Sequence, residues 1–362
     1  MGGLKYRLAA LPTAALDRVH LWPRPARPAA FVVERANWST RWDGIYVCRE
    51  VEQRAPGTIE LVDQPAFLAR RVVHFGSQFL WMLWKDALSR SNRFAVTFFH
   101  GKPEDGDDMA RHIEGFMQSL PRIARVVTAA RLVEDRLLAW GVPRDRLVRI
   151  PIGVDLGLFR PASATDRAAI RSKYGIADHQ LCIGSFQKDG TGWGDGYESK
   201  LIQGPDILLD VVARVARERP VFVLLTGPAR GFVKRGLAKL GVPFAHDWID
   251  DYRELPRCYA ALDVYLNPSR EEGGPKGILE AMASDIAVVS TRVGMAPDVI
   301  VDGVSGGLVG VDDAAALAQR ILDPPQGEAR RAQLDAARTA IAACDWSVVG
   351  RRHLEEIYRP LL

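Results

Sequence analysis

LDVYLNPSREEGGPKGILEAMASDIAVVSTRVG, residues 262–294, is the stretch whose reading decides the fold. It divides into three parts. LDVYLN has the apolar, β-branched character of a buried strand, PSREEGG is a loop of turn formers, and PKGILEAMA is a helix with Pro275 at its first position, where a missing amide hydrogen costs nothing. Gly273 and Gly274 let a ligand approach the backbone, and the free amides of the first turn, around Lys276, Gly277 and Ile278, favour an anion in front of them. In an open α/β sheet, ligands bind beyond the carboxyl ends of the strands, where this loop lies. Two carboxylates frame it, Glu272 just before the glycines and Glu280 on the helix. Glu280 is placed to accept hydrogen bonds from sugar hydroxyls such as a ribose pair, and Glu272 to reach a second sugar beyond the phosphates. Two glutamates alone would read as solvated surface charge; a double glycine and a proline inside an apolar strand–helix unit argue against so plain a turn.

Outward from this segment the same alternation continues. Before it, strands are expected at 181–186 and 221–226, and after it at 286–290, with helices between. A separate set of apolar runs, 31–36, 58–62, 71–75, 94–99 and 123–128, alternates with helical stretches at 108–120 and 129–140. Strand–helix alternation implies a parallel sheet covered on both faces, here twice over, so the fold class is α/β. The turn with Pro151, Gly153 and Pro161 separates the halves, giving an N-terminal domain at 1–155, a second at 156–345 and a final helix from 346 that packs back on the first. Residues 1–29, rich in Ala, Pro and Arg, read as an irregular or partly helical leader.

Composition narrows the class. The 362 residues, 48% hydrophobic and 25% charged, suit two globular domains and carry no low-complexity block. The four cysteines lie far apart, which signals neither a zinc site nor a disulfide framework and fits a reducing cytoplasm. Pro12, Asp17 and Pro23 interrupt any signal-peptide core, and no stretch reaches the roughly 18 apolar residues of a membrane span. Residues 1–150 hold 23 Lys+Arg against 16 Asp+Glu, a charge of +7, and the remainder, 25 against 28, is −3. With WMLW at 81–84, that basic half suggests a lipid-linked or membrane-near acceptor and peripheral contact at the inner face of a membrane, against the plainer reading of solvated charge. Nothing points to nucleic acid.

The E-x7-E spacing in PSREEGGPKGILEAMA resembles the donor-binding signature of the large retaining glycosyltransferase family four, and the resemblance extends through VVSTRVGMAPDVIVDGVSGGLV and the IPIGVD hinge, roughly residues 120–358. It implies a GT-B fold, two Rossmann-like domains facing across a cleft, and a nucleotide-diphosphate sugar as co-substrate without a metal or other cofactor. It assigns the ribose to Glu280, the donor sugar to Glu272 and the diphosphate to the backbone at Gly274–Gly277, with Gly273, Pro275 and Lys276 beside it and with Gly153 and Ser185 completing the donor side. One departure stands out: where the family usually places a phosphate-binding lysine, this chain has Gln203. Lys188 and Lys200, which flank a glycine-rich insertion, are its expected substitutes, with Lys188 supporting the leaving phosphate.

In the first domain His100, followed by Gly101, resembles the family's histidine beside the transferred sugar, although a histidine near a strand end is more often structural. His74 and the ANWSTRWDG loop, with Asn37, Trp38 and Asp43, are candidates for the acceptor side; core packing is the competing explanation for Trp38 and Trp42. The DGDD run at 105–108 precedes a helix, where Asp107 or Asp108 serves better as a cap than as a metal ligand. The function expected is retaining transfer of a sugar to a hydroxyl on a glycan, a lipid-linked acceptor or a small molecule, with domain closure excluding water. A nucleotide-sugar epimerase, a phosphorylase and a catalytically silent partner protein on the same fold are the alternatives.

Overall fold

The computed structural model describes all residues except Met1, His20, Arg24, Asn37, Trp38 and Trp193, and leaves the side chains of Leu4, Arg7 and Ala14 aside. The chain forms two units, Met1–Gly153 with Trp346–Leu362, and Val154–Asp345. In the first, β1 (Ala29–Val32), β2 (Ile59–Val62), β3 (Val72–Phe75), β4 (Arg93–Thr97), β5 (Ile123–Thr128) and β6 (Leu147–Arg149) form one sheet in the order β2-β1-β3-β4-β5-β6. Every pairing is parallel. Its helices are α1 (Gly2–Arg18), α2 (Ser39–Arg54), α3 (Gln78–Trp84), α4 (Asp107–Ser119) and α5 (Arg131–Ala139). All four residues of β1 and of β3 are buried, as a sheet covered on both faces requires.

The second unit repeats the plan with β7 (Leu181–Ser185), β8 (Val221–Thr226), β9 (Phe244–Asp247), β10 (Val264–Asn267), β11 (Ala287–Thr291) and β12 (Gly307–Val309), again all parallel, in the order β12-β11-β10-β7-β8-β9. Around it lie α6 (Ala164–Tyr174), α7 (Pro205–Glu218), α8 (Gly231–Lys239), α9 (Pro256–Ala260), α10 (Lys276–Ala283), α11 (Ala296–Val299), α12 (Ala314–Leu322) and α13 (Gly327–Ala340). Ile207, Leu208, Val211, Val212 and Val215 recur at helical spacing on α7 and pack with Ile183, Val223 and Leu266 from the strands and Leu317 from α12 into one core.

The chain ends in α14 (Trp346–His353), a wider π-type turn at Leu354–Tyr358 and α15 (Arg359–Leu361). This segment groups with the first unit and is fastened to its sheet. Trp346 stacks on Tyr46 with ring centroids 5.0 Å apart, Arg352 Nη2 donates to the Arg149 carbonyl at 2.8 Å, and Arg93 Nη1 donates to the Leu361 carbonyl at 2.7 Å. The leader resolves into a helix over most of its length. Of WMLW, the two tryptophans are core while Leu83 is exposed: Trp81 and Trp84 are buried, and Trp81 Nε1 donates to Ser119 Oγ at 2.8 Å, so these tryptophans are not the membrane contact that the sequence suggests.

Candidate active site

The loop between β10 and α10 is held from three sides. Asn267 Nδ2 donates to Ser290 Oγ at 3.0 Å, Ser269 Oγ donates to Asn267 Oδ1 at 3.1 Å, and Thr291 Oγ1 donates to the Ser269 carbonyl at 2.5 Å. These buried bonds fix the loop to the ends of β10 and β11. Arg270 reaches Asp206 at the start of α7 through two bonds of 2.8 and 2.7 Å, and Asp312 through a third of 2.6 Å. Gly204, with φ of 66°, lies so near the loop that a Cβ there would meet the Pro268 carbonyl oxygen at 2.1 Å. The first turn of α7 and the start of the donor loop are therefore packed backbone to backbone, and only glycine fits.

Pro275 is the capping residue of α10 (ψ 91°) and Lys276 its first helical residue, one position later than the sequence suggests, because that ψ lies outside the helical region. Gly277 is required by a close approach: a Cβ would sit 2.0 Å from Tyr265 Oη. Glu280 is buried, and both carboxylate oxygens accept tyrosine hydroxyls, Oε1 from Tyr252 at 2.5 Å and Oε2 from Tyr259 at 2.7 Å. Burial, with Glu280's charge close by, pushes the Tyr259 hydroxyl well above its ordinary pKa, so it stays a donor. Tyr252, Tyr259 and Tyr265 form an aromatic cluster with Phe159 and Phe186, with adjacent ring centroids 4.9 to 5.8 Å apart. The two tyrosine hydroxyls, one on each oxygen, fix the orientation of this carboxylate. Lys276 is buried, its ammonium 5.4 Å from the centre of the Tyr252 ring.

Glu272 accepts from Ser269 Oγ at 3.1 Å and from the Gln203 amide. Desolvation raises its pKa, opposed first by the positive charge of Lys200. Lys188 has its pKa lowered by burial and then by Lys200, so the two ammonium groups are electrostatic neighbours. The structure thus gathers Glu272, Gln203, Lys200 and Lys188 at the carboxyl end of the second sheet. Gln203 does not replace the expected lysine as a charge; it supports Glu272.

The glycine-rich insertion is an ordered hairpin-like loop among the described residues. Gly190 bridges Ser199, the Lys200 amide donates to the Asp189 carbonyl at 2.8 Å, and the Gly231 and Phe232 amides at the start of α8 donate to the Asp195 and Gly196 carbonyls at 2.6 and 2.8 Å. A wholly buried ion pair anchors it, Arg230 with Asp189 at 2.9 Å, and Arg230 also donates to the Ser185 and Thr226 carbonyls at 2.6 and 2.8 Å. Ser185 is fully buried behind this arginine, 3.2 Å from its Nη2. It therefore buttresses the loop and is not open for donor contact. Arg230, Tyr252 and Tyr259 escaped the sequence reading because nothing in their local spacing ties them to Asp189 or Glu280.

Three further candidates fall differently from their expected places. Gly153 lies against the Trp346 indole, where a Cβ would be 2.3 Å from the ring, so its smallness serves packing and not a donor contact. His74 is fully buried, its ring nitrogens 3.0 Å from Tyr358 Oη and 2.9 Å from Thr97 Oγ1, which makes it a core histidine tying the C-terminal segment to β3 and β4 and not an open acceptor contact. Asp107 and Asp108 are first-turn residues of α4 and do not cap it; Gly106 occupies that position. His100 and Gly101 follow β4 in a loop that Gln78 clamps, accepting from the Phe99 amide at 3.0 Å and donating to the His100 carbonyl at 3.0 Å, while Arg136 Nη1 donates to the Gly101 carbonyl at 3.0 Å. Asn37 and Trp38 lie outside the described residues. Among the described residues no three acidic, histidine or cysteine side chains form a metal-binding group.

Residues 197–323 match the family model described as glycosyl transferases group 1. Among curated relatives, the chain is 30% identical over 235 residues to a D-inositol 3-phosphate glycosyltransferase of Xylanimonas cellulosilytica, covering 62% of this chain and 54% of the relative. It is 28% identical over 255 residues to an MMP alpha-(1->4)-mannosyltransferase of Mycolicibacterium hassiacum, covering 67% and 56%. The chain spans about half the length of these two relatives. Among solved structures it superposes on Anabaena Alr3699/HepE in complex with UDP and glucose at a TM-score of 0.72 and 16% identity, covering 91% of this chain and 99% of that one. WaaG, a glycosyltransferase involved in lipopolysaccharide biosynthesis, gives 0.64 and 15%, covering 91% and 99%. The fold is of the GT-B type.

Proposed function

We propose that this chain, whose second unit belongs to glycosyl transferases group 1, transfers a sugar from a nucleoside diphosphate donor to a hydroxyl acceptor, with retention at the anomeric carbon. The observation that carries the reading is the pair Glu272 and Glu280, set on the loop and helix beyond β10, with Gln203 and Lys200 beside the first glutamate and two tyrosines holding the second. The donor ribose is read by the Glu280 carboxylate, which the two tyrosine hydroxyls orient. The diphosphate lies over the first-turn amides of α10, and the donor sugar meets Glu272. Lys200, with Lys188 as its neighbour, stabilises charge that grows on the leaving phosphate, the work a lysine at position 203 would otherwise do. UDP and UDP-glucose in the complexes of a structural neighbour and GDP-mannose in the name of a curated relative support a nucleotide-sugar donor. The acceptor is a hydroxyl on a glycan, a lipid-linked carrier or a small molecule, the last two in keeping with the phosphatidylinositol monomannoside and the D-inositol 3-phosphate in the names of relatives.

The test is turnover of UDP- and GDP-hexoses by the purified chain, with the anomeric configuration of the product read by NMR. Glu280→Ala should raise the donor KM by roughly tenfold or more, and Lys200→Ala should lower kcat by at least tenfold with a smaller change in KM. Product of inverted configuration would end the retaining assignment. Nucleotide binding without turnover of any donor would favour a silent partner protein, a reading for which Gln203 in place of a lysine is the specific support.

A further inference from the structure

The first helix is built inside out. It rests on α3 and on the turn Pro65–Phe67, and the face it buries there carries Ala10, Thr13 and Asp17, with Tyr6 against Trp84 at a centroid distance of 4.5 Å. At 3.6 residues per turn these four positions fall within an arc of about 60°. Opposite them stand Leu8, Leu11 and Leu16, exposed by 58%, 56% and 39%, and the chain continues past the helix with Val19 and Leu21 exposed by 61% and 72%. A surface helix normally turns its leucines to the core and its polar groups to water. Here small and polar residues face the core, and five aliphatic side chains face out. Phe67 and Leu83, on the two elements that support α1, are exposed by 57% and 48%. Apolar exposure of this extent marks an interaction surface.

Charge and polarity choose the partner. Residues 1–33 contain Lys5, Arg7, Arg18, Arg24 and Arg27 but a single acid, Asp17. Asp17 is turned inward, where it accepts from Ser89 Oγ at 2.5 Å, Ser91 Oγ at 2.6 Å and Arg70 Nε at 2.7 Å. Positions 8, 9, 11, 12, 15, 16 and 19 on the outer side carry no neutral hydrogen-bonding side chain, and Lys5 and Arg18 are exposed beside them. A protein partner would be expected to meet a rim of hydrogen-bonding groups. A band of aliphatic side chains flanked by cations, with no acid among them, fits the headgroup boundary of an anionic bilayer. No helix among the described residues is long and apolar enough to cross a membrane, so the helix would lie along the surface.

We propose that α1 and the segment following it to Leu21 form an interfacial docking surface for a membrane rich in anionic lipid. The aliphatic side chains enter the boundary between headgroups and acyl chains, and Lys5 and Arg18 meet the lipid phosphates. The surface shares no residue with the donor site, so its failure and that of the transferase reading are separable: nucleotide affinity is measured on the same protein without lipid.

The full chain is floated with vesicles of phosphatidylglycerol and phosphatidylcholine and with phosphatidylcholine vesicles alone. It is expected to float with the anionic vesicles, at least tenfold less after combined Leu8→Gln, Leu11→Gln and Leu16→Gln substitution, and roughly fivefold less for each of Lys5→Ala and Arg18→Ala. High salt should weaken the binding. Because these side chains are exposed, the melting temperature should stay within a degree or two of the parent, which separates lost docking from lost folding. No flotation of the parent chain, equal flotation of the leucine variant, or equal binding to neutral vesicles without salt dependence would each overturn the proposal. A dimer in solution that the leucine substitutions dissolve would overturn it as well, by assigning the face to a second copy.

Discussion

Tyr259 donates its hydroxyl to Glu280 Oε2 at 2.7 Å, while Tyr252 takes the other oxygen of the same carboxylate at 2.5 Å. The side chain proposed to read the donor ribose is therefore aligned by the protein before any ligand arrives. Tyr259→Phe removes one of these donors and leaves a buried carboxylate partly unsatisfied. The expected result is a loss of about 1–3 kcal/mol in the stability of the second unit and a roughly tenfold weaker nucleotide affinity. Melting and titration calorimetry with UDP and GDP measure the two effects. Affinity equal to that of the parent would show that Glu280 needs no such alignment.

Gly277→Ala tests how tightly α10 is seated. The added methyl would lie 2.0 Å from Tyr265 Oη and 2.5 Å from its Cζ, so either the ring or the helix must move. Overpacking of this kind costs about 1–3 kcal/mol, and a displaced helix start moves the amides proposed to hold the diphosphate. Adding Tyr265→Phe removes the nearer atom but not Cζ. The double variant should therefore regain part of the stability and part of the nucleotide affinity, both readable by thermal shift with and without UDP.

Nine strands were legible from sequence: β1 to β5, β7, β8, β10 and β11 are apolar runs whose positions match the expected runs to within a few residues, and of these only β2 lies at an edge. β6, β9 and β12 were passed over, and each is the last strand at an edge of its sheet. β9 is FAHD, half-buried at every residue and so without an apolar run, and β6 and β12 have only three residues each, too few for such a run to stand out. The donor loop was readable because Gly273, Gly274, Pro275, Glu272 and Glu280 are close in sequence. The groups that hold it were not. Tyr259 is 21 residues from Glu280 and Asp189 is 41 from Arg230, and no local pattern encodes such pairings. His74 misled for a related reason: a polar residue at a strand end reads as functional until its partners, Tyr358 and Thr97, are seen.

The buried ion pair of Arg230 with Asp189 gives a third prediction. Burial raises the Asp189 pKa, and the Arg230 charge opposes that shift. Arg230→Met leaves this carboxyl buried without its cation and should destabilise the second unit by about 3–5 kcal/mol. Arg230→Met with Asp189→Asn removes the charge as well and should recover a good part of that loss, though not the bonds to the Ser185 and Thr226 carbonyls. A double-mutant cycle in urea measures the coupling. Since the pair anchors the loop between Lys188 and Lys200, the single variant should also weaken diphosphate binding.

His353 makes the first unit sensitive to acid. Its ring is buried, with Nδ1 3.0 Å from the Val349 carbonyl and its centroid 5.9 Å from that of His74. Desolvation lowers its pKa to about 4, and His74 is lowered well below the ordinary value by the same cause and then by His353. An imidazole of depressed pKa binds protons more weakly in the folded than in the unfolded chain, where the value is about 6.5, so protonation favours unfolding. Its contribution is intact above pH 6.5 and is lost as the pH falls from there towards 4. For His353 alone the loss approaches about 3 kcal/mol at the lower end, and His74 acts in the same direction. Urea unfolding of the full chain at pH 7.5, 6 and 5, followed by Trp81 and Trp84 fluorescence, should show the first unit weakening steeply across that range. His353→Phe keeps the packing, loses one hydrogen bond and should flatten the slope. An unchanged slope in that variant would move the acid sensitivity to other groups.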